Sequence, residues 1–320
     1  MTPERVRSRA FGLELDASFE APGLPPASGP PAGPVTRLDL VTEQAIDALS
    51  WSGARRILEE RFGEGPDEPP ARTIDVHAEL GYRLYARGFG LARISHDGSI
   101  VECAPPPAEA WSWQRFLVGR VLPWAAVLRG YEALHASAVV IDGGAVAFVG
   151  HTGAGKTSLA LRLVAAGASF VTDDVATVDV RDGVPRVHPG ASIAAVRPAE
   201  RAAIEPAVWA RLGTVLGDSG KTYLTLPRVH EPVELRAICF MSADAGPPLE
   251  PIAAVDPRML LTAAFVLGVQ TPARLRNQLD VCAAIAERVP ALRLRPRGAP
   301  DSTSLAEAVL GELRAARMSV

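Results

Sequence analysis

Residues 150–160 read GHTGAGKTSLA, and Gly150-x-x-x-x-Gly155-Lys156-Thr157 has the spacing of a phosphate cradle. Glycines let the backbone curl until its N–H groups point inward at phosphate oxygens. Lys156 brings a compact charge to the terminal phosphates, and the Thr157 hydroxyl is a hard oxygen for Mg²⁺. Thr152, Gly153, Ala154 and Ser158 complete the wall around a bound ATP. Lys156 is one of only two lysines, against thirty-one arginines, in 320 residues. An arginine fork is too bulky and rigid for this pocket, which accounts for the lysine. Its side chain is expected to face solvent.

Two neighbours aim at the same edge. If Asp142-Gly143 makes a two-residue hairpin turn, Ile141 pairs with Gly144 and His135 falls opposite Gly150. The strand ending at Thr172 follows the cradle helix, so a right-handed crossover makes it parallel to AVAFV at 145–149. Asp173 and Asp174 therefore stand at its carboxyl end, where a nucleotide sits. One carboxylate can serve Mg²⁺ and the other can take the proton of an attacking hydroxyl. Turn chemistry would also account for paired aspartates in TDDVA; the adjoining cradle favours function. The other lysine, Lys221 in GDSGKTY, imitates the motif, but the first glycine would fall at Val215, so it reads as a solvated loop. His151 reads as a surface residue, and neither Lys221 nor Arg228 is given a role.

The elements that hold these residues can be read in outline. APGLPPASGPPAGP (21–34) has six prolines and three glycines and reads as an extended surface loop. TEQAIDALSWSGARRILEERFG (42–63) is predicted as a short helix. From Arg72 to Ala104 short strands alternate with glycine turns, HDGS being the clearest hairpin signal. Residues 111–131 have helical spacing. From Leu134 the pattern is strand, turn, strand, glycine loop, helix, strand, with Gly167 as the helix C-terminus. VATVDVRDGVPRVHPG reads as a hairpin, and the tail (256–320) as mainly helical with a proline-rich break near RLRPRGAP. The expectation is an α/β protein: a small β-rich region over 1–110, suspected of recognising an acceptor or partner, then a nucleotide-binding domain with a mixed sheet over 111–320.

Composition excludes several classes. Formal net charge is −3, which argues against nucleic-acid binding by bulk attraction. Cys103, Cys239 and Cys282 are scattered and read as buried thiols rather than zinc ligands or a disulfide framework. No segment has the ~18 uninterrupted apolar residues of a membrane span, and no signal peptide is apparent, so a cytoplasmic location is expected.

LHASAVV, GHTGAGKTSLAL and GASFVTDD, with their mutual spacing, resemble the catalytic domain of HPr kinase/phosphorylase and the broader HPr kinase-like group. The likeness is good over 134–175 and extends in general layout to 176–315. Seventeen positions from Lys156 to Asp173 is a much shorter step than most P-loop proteins take to their metal-binding aspartate. The resemblance implies a P-loop kinase domain of HPr kinase type, using ATP and Mg²⁺. Asp173 would be the acid/base residue with His135 and Lys156 in support, and Thr157 with Asp174 would serve the metal. The family's glutamate–arginine–glycine signature has no match in VHPGASIAAVRPAERAAIE, so HPr as substrate and the phosphorylase reaction are not carried over. Some relatives phosphorylate serine on ribosomally made peptides such as lasso peptides, or small molecules. The expected reaction is therefore transfer of the γ-phosphoryl group of ATP to a hydroxyl, foremost a serine of a peptide or protein partner. Alternatives are a kinase of a small alcohol such as free serine, or a non-catalytic ATP-sensing regulator. A homo-oligomer is compatible with either.

Overall fold

A computed structural model describes residues 5–61, 70–107, 110–218, 220–296 and 302–317. The chain divides into two compact units: Met1–Tyr131 with Val266–Arg274, and Glu132–Phe265 with Leu275–Val320. The helical stretch after residue 110, read from sequence as opening the second domain, groups with the first unit.

The first unit is an eight-stranded sheet, larger than the sequence suggests. Its strands are β1 (Val6–Ala10), β2 (Leu13–Ala17), β3 (Val35–Leu40), β4 (Arg55–Glu60), β5 (Arg72–His77), β6 (Gly81–Ala86), β7 (Gly90–Ile94) and β8 (Ile100–Ala104). Their order is β1-β2-β3-β8-β7-β6-β5-β4. The proline-rich loop joins the parallel pair β2 and β3. The helix expected over 42–63 is corrected: among the described residues of that stretch only α1 (Glu43–Asp47) is helical, capped by Thr42 accepting from Ala45 N. The helix stops at its C-cap Ala48, Gly53 turns the chain at φ 88°, and β5 then offers its edge to Arg55–Glu60 as an antiparallel partner. Helices α2 (Ala110–Phe116) and α3 (Leu122–Leu128) are joined through a π-helical turn, Leu117–Val121. Pro123 explains that turn, since it has no N–H for the normal helical ladder.

The second unit has a nine-stranded sheet and a three-stranded one. The large sheet holds β9 (Glu132–Leu134), β10 (Ala136–Ile141), β11 (Gly144–Val149), β12 (Ser169–Thr172), β13 (Ala176–Arg181), β14 (Val184–His188), β18 (Val233–Met241), β19 (Leu249–Ile252) and β20 (Ala291–Leu294). The small one is β15 (Ile193–Val196), β17 (Thr222–Thr225) and β16 (Thr214–Asp218), in that order. Helices are α4 (Lys156–Ala165), α5 (Pro198–Ala203), α6 (Pro206–Leu212), α7 (Pro257–Leu261), α8 (Pro272–Arg288, of this unit from Leu275 onward) and α9 (Ser302–Arg317). Side chains alternate across β10 and β11. Val139, Ile141, Val146 and Phe148 pack with Leu159 and Leu163 of α4 and Val309 of α9. Ala136, Ala138, Ala145 and Ala147 pack on the other face with Val281, Cys282 and Ile285 of α8. The tail is therefore not only helical, since β20 runs parallel to β18. The proline-rich break expected near RLRPRGAP falls partly outside the described residues. Among the described residues, no helix is long and apolar enough to cross a membrane.

The large sheet folds back on itself. Its order runs β12-β10-β11-β18-β14-β13-β9, yet β9 continues directly into β10 and β12 into β13. Leu134 pairs with Ala176 on one arm and Ala138 with Thr172 on the other. The two chain segments thus turn the corner together. His135 lies in one bend and Asp173-Asp174 in the other.

Candidate active site

The cradle is built as strand, loop and helix. The hairpin turn expected at Asp142-Gly143 forms with both residues at positive φ, and Ala136 pairs with Val149, so the chain carries His135 to the mouth of the loop. Gly153 and Gly155 have φ of 90° and 98°, conformations that other residues adopt only under strain. Gly150 is small for another reason: a Cβ there would meet the Cβ of Met241 at 3.0 Å. Helix α4 begins at Gly155 with no side-chain cap, so its first N–H groups face the loop.

Lys156 does not face solvent as expected; it is buried. Its Nζ donates to the carbonyls of Gly150 (2.7 Å) and His151 (3.2 Å) and lies 3.1 Å from His135 Nε2. Three ammonium protons meet three acceptors, which is what makes burial tolerable. Burial still lowers the Lys156 pKa; Asp174 and Asp173 oppose that shift, while Arg197 and Lys221 add to it.

His135 is oriented from two sides. Its Nδ1 lies 2.9 Å from the Asp174 carbonyl oxygen and 3.4 Å from Asp174 Oδ1. A carbonyl only accepts, so Nδ1 carries the proton and Nε2 is left to accept from Lys156. Phe265 stacks on the ring at 6.0 Å between centroids. The main chain here is held by His135 N donating to Ala263 O and Phe265 N to Ala133 O.

The two aspartates have different surroundings. Asp173 Oδ1 accepts from Ser137 Oγ (2.5 Å) and Thr157 Oγ1 (2.8 Å), and Oδ2 from Ala195 N (3.2 Å). Burial raises its pKa; the Ser137 hydrogen bond opposes this, the Asp174 charge adds to it, and Ala195 N and Thr157 oppose it further. Asp174, at φ 66°, forms the bend itself and keeps 48% of its side-chain surface exposed.

Lys156, Thr157, His135, Asp173 and Asp174 are thus brought to one corner, and Ala154 tightens the loop through its N–H to His151 O. Thr152 is exposed on the loop, and Ser158 lies in the first turn of α4. Sequence reasoning missed Ser137, although continuing the β9–β13 register puts it opposite Asp173. It also missed Arg197, for which no local signal exists. Lys221, read as a solvated loop residue, is partly buried and acts on Lys156. Arg228 sits elsewhere, bridged to Phe170 near the start of β12, and burial lowers its pKa to about 10. Of the remaining histidines, His188 is buried against Asp179 at 3.0 Å.

Among the described residues no group of three His, Cys, Asp or Glu side chains converges as a metal cage. The Thr157–Asp173 pair still has the donor chemistry that suits Mg²⁺, which takes one or two protein oxygens alongside substrate phosphates.

No protein-family model matches the chain, and no curated protein matches it. Among solved structures, the HPr(Ser) kinase/phosphatase from Coxiella burnetii is similar over 59% of this chain and 97% of that one, at 14% identity and a TM-score of 0.30. A likeness of that degree is too loose to transfer a fold or a residue's role.

Proposed function

We propose that the second unit binds ATP with Mg²⁺ in the loop 150–158 and transfers its γ-phosphoryl group to a hydroxyl, foremost a serine of a peptide or protein. One observation carries the reading: the corner of the folded sheet gathers an imidazole and two carboxylates around a glycine loop, a buried lysine and an uncapped helix start. Binding phosphate alone needs only the last three. A proton acceptor at the same place supports chemistry on a hydroxyl.

The geometry favours a division of labour between the aspartates opposite to the one the family resemblance implies. Asp173, already sharing Thr157, is the metal-side carboxylate; Mg²⁺ there would neutralise phosphate charge. Asp174, half exposed beside His135, is the group an incoming hydroxyl can reach, and His135 orients it. Lys156 would exchange loop carbonyls for phosphate oxygens. The serine acceptor rests on the likeness of residues 134–175, and a role in choosing it falls to the first unit.

The test is transfer from MgATP to serine-containing peptides, with free serine and a small alcohol as competing acceptors. Asp174→Asn is expected to lower the rate by ~10²–10⁴ with little change in nucleotide affinity. Asp173→Asn is expected to raise the Mg²⁺ requirement. Lys156→Ala should weaken nucleotide binding and turnover. A folded Lys156→Ala protein with unchanged affinity and turnover would overturn the reading, and wild-type transfer by Asp174→Asn would remove it as base.

A further inference from the structure

Arg197 follows β15 and Lys221 precedes β17 at one end of the small sheet. β15 and β17 are antiparallel with Val196 opposite Thr222, so the next pair in that register is Arg197 and Lys221. The sheet is tied to the site in two ways: Ala194, Val196 and Leu224 pack with Leu161 of α4, and Ala195 N donates to Asp173. A Cβ added to Gly153 would lie 3.3 Å from Arg197 Nη1 and 3.4 Å from Nη2, so the guanidinium rests against the cradle. Both charges reach Lys156. Neither is paired with a carboxylate among the described residues. Arg197 and Lys221 both oppose the positive charge of Lys156, and a ligand with several negative charges relieves that cost.

We propose that Arg197, with Lys221 beside it, binds the terminal phosphate of a nucleoside triphosphate and stabilises the phosphoryl group in transfer. The proposal rests on the nucleotide reading above and deepens it, naming the residues that distinguish a triphosphate from a diphosphate. In the reaction the acceptor oxygen bonds to the γ-phosphorus and the bond from that phosphorus to the bridging oxygen breaks. The acceptor proton passes to the base, and the bond's electron pair leaves with the diphosphate. Arg197 supplies fixed N–H donors to the phosphoryl oxygens, whose charge a loose transition state spreads over all three. A planar fork suits that task better than a second lysine.

The experiment compares calorimetric binding of MgATP and MgADP to the wild type, Arg197→Ala, Arg197→Gln and Lys156→Ala. Arg197 precedes α5 without using its side chain as a cap, so its replacement leaves that helix start intact. Both Arg197 variants are expected to lose ~10–100-fold in ATP affinity while ADP binding changes little. Turnover should fall by ~10³ or more. Wild-type ATP affinity and turnover in folded Arg197 variants, with Lys156→Ala impaired, overturn this proposal and leave the nucleotide reading standing. Equal losses for ATP and ADP overturn the terminal-phosphate role. A wild-type protein that binds neither nucleotide overturns both.

Discussion

Asp173 is a carboxylate held where its charge is disfavoured. Burial raises its pKa above the ordinary value of 3.8, so the folded state binds its proton more tightly than the unfolded chain does. Its contribution to stability is greatest below the ordinary value and is lost as pH rises through the raised folded value. Asp173→Asn removes the charge and keeps the shape, so its melting temperature at pH 8 should exceed that of the wild type. The gain should shrink as pH falls toward 3.8, and the same variant should need more Mg²⁺ for turnover. A melting temperature that is lowered at pH 8 would count against a strained carboxylate. The sequence exposed part of this site. His135 and both aspartates could be found from a hairpin register and a crossover, because each depends on nearby chain. Ser137 needed the pairing of β9 with β13 and of β10 with β12, a long-range register. Arg197 sits in VRPAE, which looks like any surface turn until the small sheet carries it to Gly153. The burial of Lys156 was unreadable for a related reason, since its acceptors include His135 from the bend between β9 and β10.

Helix α4 is bounded by two glycines that do different work. At its start Gly155 has φ 98°, and at its end Gly167 has φ 104°. There Gly167 N donates to Val164 O and Ala168 N to Leu163 O, a Schellman arrangement. A Cβ on Gly167 meets nothing within 4 Å, so Gly167→Ala costs only backbone strain, about 1–2 kcal/mol. Gly155→Ala carries a similar strain but also reshapes the cradle. The expected pattern is lowered thermal stability in both, with nucleotide affinity reduced only in Gly155→Ala, measured by melting curves and calorimetry side by side. Loss of affinity in Gly167→Ala would mean that the two ends of the helix are coupled. Elements with strong local punctuation were legible: the glycine loop, the Asp142-Gly143 turn, the HDGS hairpin and the C-terminus of α4. β4 was not, because RRILEE has no alternation of its own and becomes a strand through the edge of β5. β20 is four residues long and is a strand through β18 and β19.

The proposed nucleotide site belongs to the second unit alone, and the buried thiols report on each unit. Cys103 lies in β8 of the first unit; Cys239 in β18 and Cys282 in α8 belong to the second. All three are buried, and burial pushes Cys103 and Cys239 up to about 12. The thiolate is the reactive form, so labelling in the native protein requires opening. A ligand that binds only the folded second unit stabilises it by ~2.7 kcal/mol at a hundred times its dissociation constant, which lowers the open population about a hundredfold. With MgATP present, labelling of Cys239 and Cys282 should slow by that order, while Cys103 keeps its rate. Mass spectrometry of each labelled peptide over time measures all three at once. MgADP should protect the same two thiols less if Arg197 and Lys221 hold the terminal phosphate, and Lys156→Ala should abolish the protection. Equal slowing at Cys103 would mean that the units open as one body; slowing at Cys103 alone would put the nucleotide in the wrong unit.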